Sequence, residues 1–337
     1  MRLLMILSGD ANKASSRVRG YWVAEALCDR GHTVALCSPS ARHHYLPLLG
    51  PISKSDVVIF QKMYGRYDIV LARLCRALGK SVYFDIDDAP SRIQSDRTIG
   101  NAATMMRLSH GVFAGSRALV AYAKESQPAT HLVPSGIRLG NYRLKSHDAH
   151  RPVCLGWIGN GAHYADDLID VLAGPLTRLA SQHPLRFRLV GACGVKHLYD
   201  VFGTIDGLEF DFVDQLDWSD PDAISEAVAP FDIGLYPLRT GGFNEYKCAF
   251  KALEYMACGL PVVTSAVGAN AEVVIDGLTG NVCHSAMDWQ AYLARLIDDP
   301  GARAKMGAAG RAKIEKTYDV SRLAGELEAL LMSPGSI

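Results

Sequence analysis

The stretch NEYKCAFKALEYMACGLPVV, residues 244–263, holds a helix start, a charged stripe, a glycine stop and a buried strand. Asn244 is placed as an N-cap, residues 249–257 are good helix formers, and Gly259 followed by Pro261 ends the helix and releases the chain into Pro261-Val262-Val263. At helical spacing Lys247, Lys251 and Glu254 fall at i, i+4 and i+7 on one face, while Phe250, Leu253, Met256 and Ala257 form the apolar remainder. Two lysines so placed repel each other by roughly 0.2–0.5 kcal/mol on an isolated helix. A phosphate at the helix N-terminus would offset this, because the free N–H groups and the dipole there favour anions by about 0.3–1 kcal/mol when exposed. The alternative is a solvated face on which Glu254 pairs with Lys251.

Outward from this stretch the chain alternates short apolar runs with helical segments. VCLGWIG, FRLVGA, LEFDFVD, FDIGLYP, PVVTSA and GNVCH read as strands of the second half, with helices expected over 166–182, 223–228, 249–257, 288–298, 301–316 and 320–332. The first half reads the same way: LLMILS, TVALCS, DVVIFQ, SVYFDID, GVFAGS and HLVPS, with helices over 15–29, 69–78, 102–108 and 118–124. Strands this continuously apolar are buried on both faces, which predicts two doubly wound parallel sheets. Polar residues 139–152 break the rhythm, giving a first domain over 1–145 and a second over 146–318. Residues 319–337 form a terminal helical segment.

Composition narrows the function. Lys plus Arg and Asp plus Glu both number 35 in 337 residues, so no net basic field selects nucleic acid. Eight cysteines (Cys28, Cys37, Cys75, Cys154, Cys193, Cys248, Cys258 and Cys283) are scattered without a C-x-x-C pair and read as reduced core residues of a cytoplasmic protein. The apolar run at residues 3–8 is too short for a membrane span, so membrane association is expected to be peripheral at most.

Ligands of open parallel sheets sit at the carboxyl ends of strands, so the loops there carry the candidates. After the first strand come Gly9, Asp10, Arg17 and Arg19; arginines in a first helical turn oppose the dipole and point to an anion or a facing carboxylate, or else snorkel over the sheet edge. Asp85, Asp87 and Asp88 end another strand and suit a metal site, a general base, partners for those arginines, or a helix cap. Gly159-Asn160-Gly161 brings backbone close to a ligand but is not G-x-G-x-x-G, and no P-loop, G-x-S-x-G or H-E-x-x-H occurs.

Glu254-Tyr255-Met256-Ala257-Cys258-Gly259-Leu260-Pro261, with Val267-Gly268 to Glu272 and Asp276-Gly277-Leu278-Thr279-Gly280, resembles the donor domain of retaining GT-B glycosyltransferases of family four (glycosyltransferase group 1). The resemblance extends through residues 231–237 and, more loosely, to Arg17-Val18-Arg19, Gly31-His32, Gly115-Ser116 and residues 133–137. It implies an N-terminal acceptor domain, a C-terminal nucleotide-sugar domain, transfer in the cleft, and a last helix crossing back to the first domain. It also implies no metal or cofactor beyond the nucleotide-diphosphate sugar, and a saccharide, lipid-linked or small-molecule acceptor. Of the family's E-x7-E pair, Glu254 matches the ribose-binding second glutamate, while the first position falls on Tyr246 with Glu245 one residue early. Lys247 and Lys251 are expected to replace the family's Arg/Lys phosphate pair, with the amides from Cys248 through Ala249 and Phe250 to Lys251 facing the pyrophosphate. Gly9, Arg17, Gly159 and Asn160 join them on the donor side and Asp10 and Arg19 on the acceptor side. Asp85, Asp87, Asp88, Glu245 and Lys247 are the catalytic candidates.

Overall fold

Runs of aliphatic and β-branched residues form the strands, and the structure, a computed structural model, describes residues 1–39, 44–89, 96–147 and 152–332. Strands β1 (Arg2–Leu7), β2 (Thr33–Cys37), β3 (Val57–Gln61), β4 (Ser81–Ile86), β5 (Gly111–Ala114) and β6 (Thr130–Leu132) make one parallel sheet in the order β2-β1-β3-β4-β5-β6. Strands β7 (Val153–Ile158), β8 (Leu185–Val190), β9 (Leu208–Val213), β10 (Ile233–Tyr236), β11 (Val262–Ser265) and β12 (Gly280–Cys283) make a second, ordered β12-β11-β10-β7-β8-β9. Every residue of β3 and β7 is buried, as strands covered by helices on both faces require. The two doubly wound sheets are those predicted from the sequence.

Strand order reverses direction between β1 and β3 in the first sheet and between β7 and β10 in the second. At such a switch point the connections leave on opposite faces, and a crevice opens at the carboxyl ends of the strands. The loop after β1 starts at Ser8, Lys62 follows β3, Gly159 follows β7, and Tyr236 ends β10.

The chain forms two compact units. One comprises Met1–Arg138, Glu245–Cys248 and Tyr318–Ile337; the other comprises Leu139–Asn244 and Ala249–Thr317. Each has its own core, the first including Phe60 and Phe84 and the second Trp157 and Phe187, all completely buried. Of the expected linker, residues 139–147 belong to the second unit: Lys145 donates its backbone N–H to Cys258 O, and its ammonium pairs with the buried Asp232. Residues 148–151 of that linker, and 333–337 of the terminal segment, lie outside the described residues. Helix Val320–Met332 packs within the first unit on helix Trp22–Asp29, fastened by Glu328 to Arg30 and His32.

Among the described residues three α-helices exceed the sequence reading, Leu49–Lys54, Lys196–Phe202 and Asn270–Val273. All are short, and the first contains Gly50 and Pro51, so none shows a sustained apolar period. Helix 15–29 is three joined pieces, Ala14–Ser16, a π-turn at Arg17–Tyr21, and Trp22–Asp29. All eight cysteines are free, but only Cys75, Cys154, Cys258 and Cys283 are buried; Cys28 and Cys193 are exposed, which corrects their reading as core residues. Among the described residues no helix is long and apolar enough to cross a membrane.

Candidate active site

In the second unit the site grows from the β7/β10 switch point. The Tyr255 hydroxyl accepts the Ile158 N–H at 3.1 Å and donates to Leu235 O at 3.3 Å, tying the ends of both strands to helix Phe250–Ala257. Burial pushes the Tyr255 pKa well above that of free tyrosine, so the phenol stays neutral and keeps its donor. The loop Gly159-Asn160-Gly161 then runs so close to its neighbours that side chains are excluded. A Cβ on Gly159 would lie 2.5 Å from Lys251 Cε, and one on Gly161 would lie 2.7 Å from Ala192 O. Asn160 is the exposed member between them.

Lys251 is 9% exposed, and its ammonium stands over the rings of Tyr164 at 3.7 Å, Tyr236 at 5.0 Å and Trp157 at 5.3 Å. A desolvated cation–π contact contributes about 2 kcal/mol, which offsets part of the cost of burying the side chain beside a glycine loop. One helical turn on, Glu254 is buried and accepts the Tyr142 hydroxyl through Oε1 at 2.9 Å. A cation and a carboxylate thus share one face of a short helix at the ligand-binding end of the sheet.

The start of that helix corrects the sequence reading. Ala249 adopts a left-handed conformation (φ 55) and the helix begins at Phe250, preceded by a 3-10 turn at Gly242–Tyr246. Asn244 is therefore not the N-cap; its side-chain amide donates to Asp167 at 2.9 Å and to Arg239 O at 3.0 Å. Nor do Lys247 and Lys251 lie on one helix face, because the left-handed residue between them breaks the period. Lys251 belongs to the second unit, whereas Glu245, Tyr246, Lys247 and Cys248 cluster with the first. There Tyr246 meets the edge of Tyr122, and Cys248 Sγ lies 3.1 Å from Asp87 O. Glu245 is exposed, Lys247 and Phe250 are half-buried, and Ala249 is buried.

In the first unit the three aspartates separate. Asp85 receives two hydrogen bonds from Arg19, at 2.7 and 2.6 Å, and Arg19 also donates to Val133 O at 2.9 Å. Burial opposes the Arg19 charge, but Asp85 outweighs it and raises the guanidinium pKa. Of the alternatives open for this pair, the facing carboxylate is the one observed, and the bidentate pair occupies both Asp85 oxygens. Asp87 and Asp88 instead hold Lys62, whose Nζ is 3.2 Å from Asp87 and hydrogen-bonded to Asp88. Lys62 has a left-handed backbone (φ 52) immediately after β3. Burial works against its ammonium, yet the two carboxylates raise its pKa; Asp88 is raised by burial first and by Asp87 second. Among the described residues no group of three His, Cys, Asp or Glu side chains is gathered to hold a metal.

On the β1 loop, Gly9 O accepts from the Ser38 hydroxyl and exposed Asp10 turns back to the Asn12 N–H. Arg17 is buried and, among the described residues, bonds only to the carbonyls of Ala11 and Asn12. Lys62, Tyr142 and Tyr164 escaped the sequence reading. Lys62 follows a strand directly, so a search of every strand end would have found it; Tyr142 lies in a polar stretch with no period to announce its burial.

Comparison with known proteins agrees with this architecture. Residues 152–299 match the family described as Glycosyl transferases group 1. A D-inositol 3-phosphate glycosyltransferase of Arthrobacter is 47% identical over 60 residues, 17% of this chain and 14% of that protein. A GDP-mannose-dependent monoacylated alpha-(1-6)-phosphatidylinositol monomannoside mannosyltransferase of Corynebacterium glutamicum is 34% identical over 125 residues, 36% of this chain and 32% of its own. These matches therefore span a third or less of the curated relatives. HepE of Anabaena, solved with UDP-glucose, superposes with a TM-score of 0.74 at 15% identity, over 99% of this chain and 100% of its own. Sucrose-phosphate synthase of Thermosynechococcus elongatus gives 0.72 at 15% with the same coverage. Residues 152–299 are thus similar to the glycosyl transferases group 1 family, and the chain as a whole has the GT-B fold of two doubly wound parallel sheets.

Proposed function

We propose that this protein is a glycosyltransferase that moves a sugar from a nucleoside-diphosphate donor to an acceptor hydroxyl, with retention of anomeric configuration and without a metal ion. The observation that carries the reading is Lys251 and Glu254, both buried, one turn apart on the helix beside the β7/β10 switch point and its glycine loop. Glu254, oriented by Tyr142, takes the ribose hydroxyls; Lys251, close over Gly159, takes the diphosphate. The family match over residues 152–299 supports this, as do relatives named for inositol phosphate glycosyl transfer and GDP-mannose. The acceptor hydroxyl oxygen bonds to the anomeric carbon while the bond from that carbon to the diphosphate oxygen breaks, and the hydroxyl proton passes to the departing diphosphate oxygen. The diphosphate leaves with the electron pair, and Lys251 stabilises the charge that grows there, in a site from which its aromatic neighbours exclude water. A positioned lysine serves in the role that a divalent cation fills elsewhere. The first unit, with Asp87, Asp88 and Lys62 at its strand ends, serves a saccharide, lipid-linked or small-molecule acceptor.

The test is Glu254→Gln, titrated with nucleoside diphosphates by calorimetry. Loss of a charge-assisted hydrogen bond removes about 1.5–3 kcal/mol, so affinity should fall at least tenfold while the melting temperature holds. A variant that melts early yet binds normally would make Glu254 a structural residue. An epimerised donor as product, or binding with no turnover on any acceptor, would replace transfer with epimerisation or with a binding role.

A further inference from the structure

Arg17 is 6% exposed and makes two hydrogen bonds, both from Nη1 to backbone carbonyls, at 3.1 Å to Ala11 O and 3.4 Å to Asn12 O. Its Nε is buried with no partner. No carboxylate among the described residues pairs with it. A buried charge is retained only where something compensates it, and carbonyl dipoles alone do so poorly. Two residues further along the same helix, Arg19 shows the compensated arrangement, gripped by both oxygens of Asp85. The contrast is local and chemical: the two guanidiniums share a loop, and only one of them has its anion.

The neighbouring charges do not supply the missing one. Lys62 lies between Asp87 and Asp88. Lys13, which folds over Gly9 and donates to Ser8 O, feels the same two carboxylates and the Lys62 charge. Asp87 and Asp88 are thus engaged by Lys62, and Asp10, the carboxylate of the β1 loop itself, is exposed and accepts the Asn12 N–H, so none of the three is bonded to Arg17. Partial desolvation and then Lys62 lower the Lys13 pKa, while Asp87 and Asp88 act against them. The loop occupies the β1/β3 switch point of the first sheet, where an open parallel sheet receives its ligand.

We infer that the Arg17 guanidinium, on the loop formed by Ala11, Asn12 and Lys13, is the subsite for a phosphate group carried by the acceptor, so that the acceptor is a phosphate ester. This rests on the glycosyl-transfer reading, in which the donor's diphosphate is met by Lys251 in the second unit. Arg17, a buried cation in the first unit that meets no carboxylate among the described residues, then calls for an anion on the other substrate. Arginine suits it because its planar fork matches phosphate oxygens.

The test compares the full chain with Arg17→Gln and Arg17→Lys, using glucose 6-phosphate, glucose and a nucleoside diphosphate as probes in calorimetry and thermal shift. Wild type should bind glucose 6-phosphate at least tenfold more tightly than glucose. Arg17→Gln should remove that preference, leave nucleoside diphosphate affinity within twofold, and melt no lower than wild type, because an unpaired buried charge is gone. Arg17→Lys should restore part of the preference. No preference for the phosphate in wild type overturns the inference. An equal loss of nucleoside diphosphate binding in Arg17→Gln also overturns it, assigning the subsite to the donor. A melting point several degrees lower, with the phosphate preference intact, makes Arg17 structural. Vesicles containing phosphatidylinositol against vesicles of phosphatidylcholine alone separate the two sources of such a phosphate ester, since only a lipid headgroup retains the wild-type chain and releases Arg17→Gln. Loss of nucleotide binding in Glu254→Gln, measured alongside, reports on the glycosyl-transfer reading separately.

Discussion

Arg19 and Asp85 are both almost fully buried and bidentate, so neither can lose the other cheaply. Removing one partner of such a pair leaves an uncompensated interior charge and costs about 3–5 kcal/mol. Asp85→Asn should therefore lower the denaturation midpoint strongly, and Asp85→Asn combined with Arg19→Met should recover much of the loss; a single variant that melts like wild type would show the pair to be dispensable. Lys251 calls for the opposite outcome. Replacing it with Met keeps an unbranched stem and a sulfur against Tyr164, Tyr236 and Trp157, so the unliganded protein should lose no more than about 2 kcal/mol, the lost cation–π contact being offset in part by sulfur–aromatic contact. Nucleoside diphosphate should bind at least tenfold more weakly while the uncharged nucleoside binds as before. Equal losses for both ligands, read by calorimetry, would remove Lys251 from the phosphate site. Which aspartate meets which cation could not be read from DIDD, since alternate residues of a strand end face opposite sides and the pairing is chosen by loops far off in sequence.

At the scale of elements, helix Phe250–Ala257 lies on β10 with no room to spare. A Cβ on Gly234 would come within 2.4 Å of the Tyr255 ring. Tyr255 in turn holds the Ile158 N–H, one residue before the Gly159 loop. Gly234→Ala should thus do two things: destabilise by about 1–3 kcal/mol through overpacking, and weaken nucleotide binding because the displaced ring releases the end of β7. Denaturant melts and nucleotide titration on the same sample check both, and a variant that loses stability alone would uncouple the helix from the loop. The helix itself was legible in the sequence; its start was not. Alanine carries no mark of a left-handed backbone, a conformation costing roughly 1–2 kcal/mol outside glycine, so Ala249 looked like one more helix former. The wrong start then placed Lys247 on a face that it does not occupy. Strained positions of this kind concentrate at functional sites, and Lys62 is another, equally silent in the sequence.

For the whole molecule, the two sheets were legible because parallel strands buried on both faces spell themselves out as apolar runs, and the strand order then fixes where each crevice opens. Unit membership was not legible to the same degree. Residues 139–147 look polar and structureless, yet Tyr142 is buried in the second unit against Glu254, and residues 245–248 return to the first unit from the middle of a stretch that reads as one helix. This division bears on the chemistry. The cations proposed for the donor and for the acceptor are side chains of the protein, Lys251 and Arg17, and Asp85 and Asp88 are engaged by Arg19 and Lys62. Each phosphate charge then meets a fixed lysine or arginine, and a dissociable ion has no required place in the transition state. Turnover should therefore survive dialysis against a chelator and should not rise on adding magnesium or manganese. The glycoside formed should keep the donor's anomeric configuration, measured from the coupling constant of its anomeric proton. Activity abolished by chelation and restored by either ion would show that Asp87 and Asp88 bind a metal when substrate arrives and that Lys62 only holds their place in the empty site; an inverted product would exclude retention independently of the metal result.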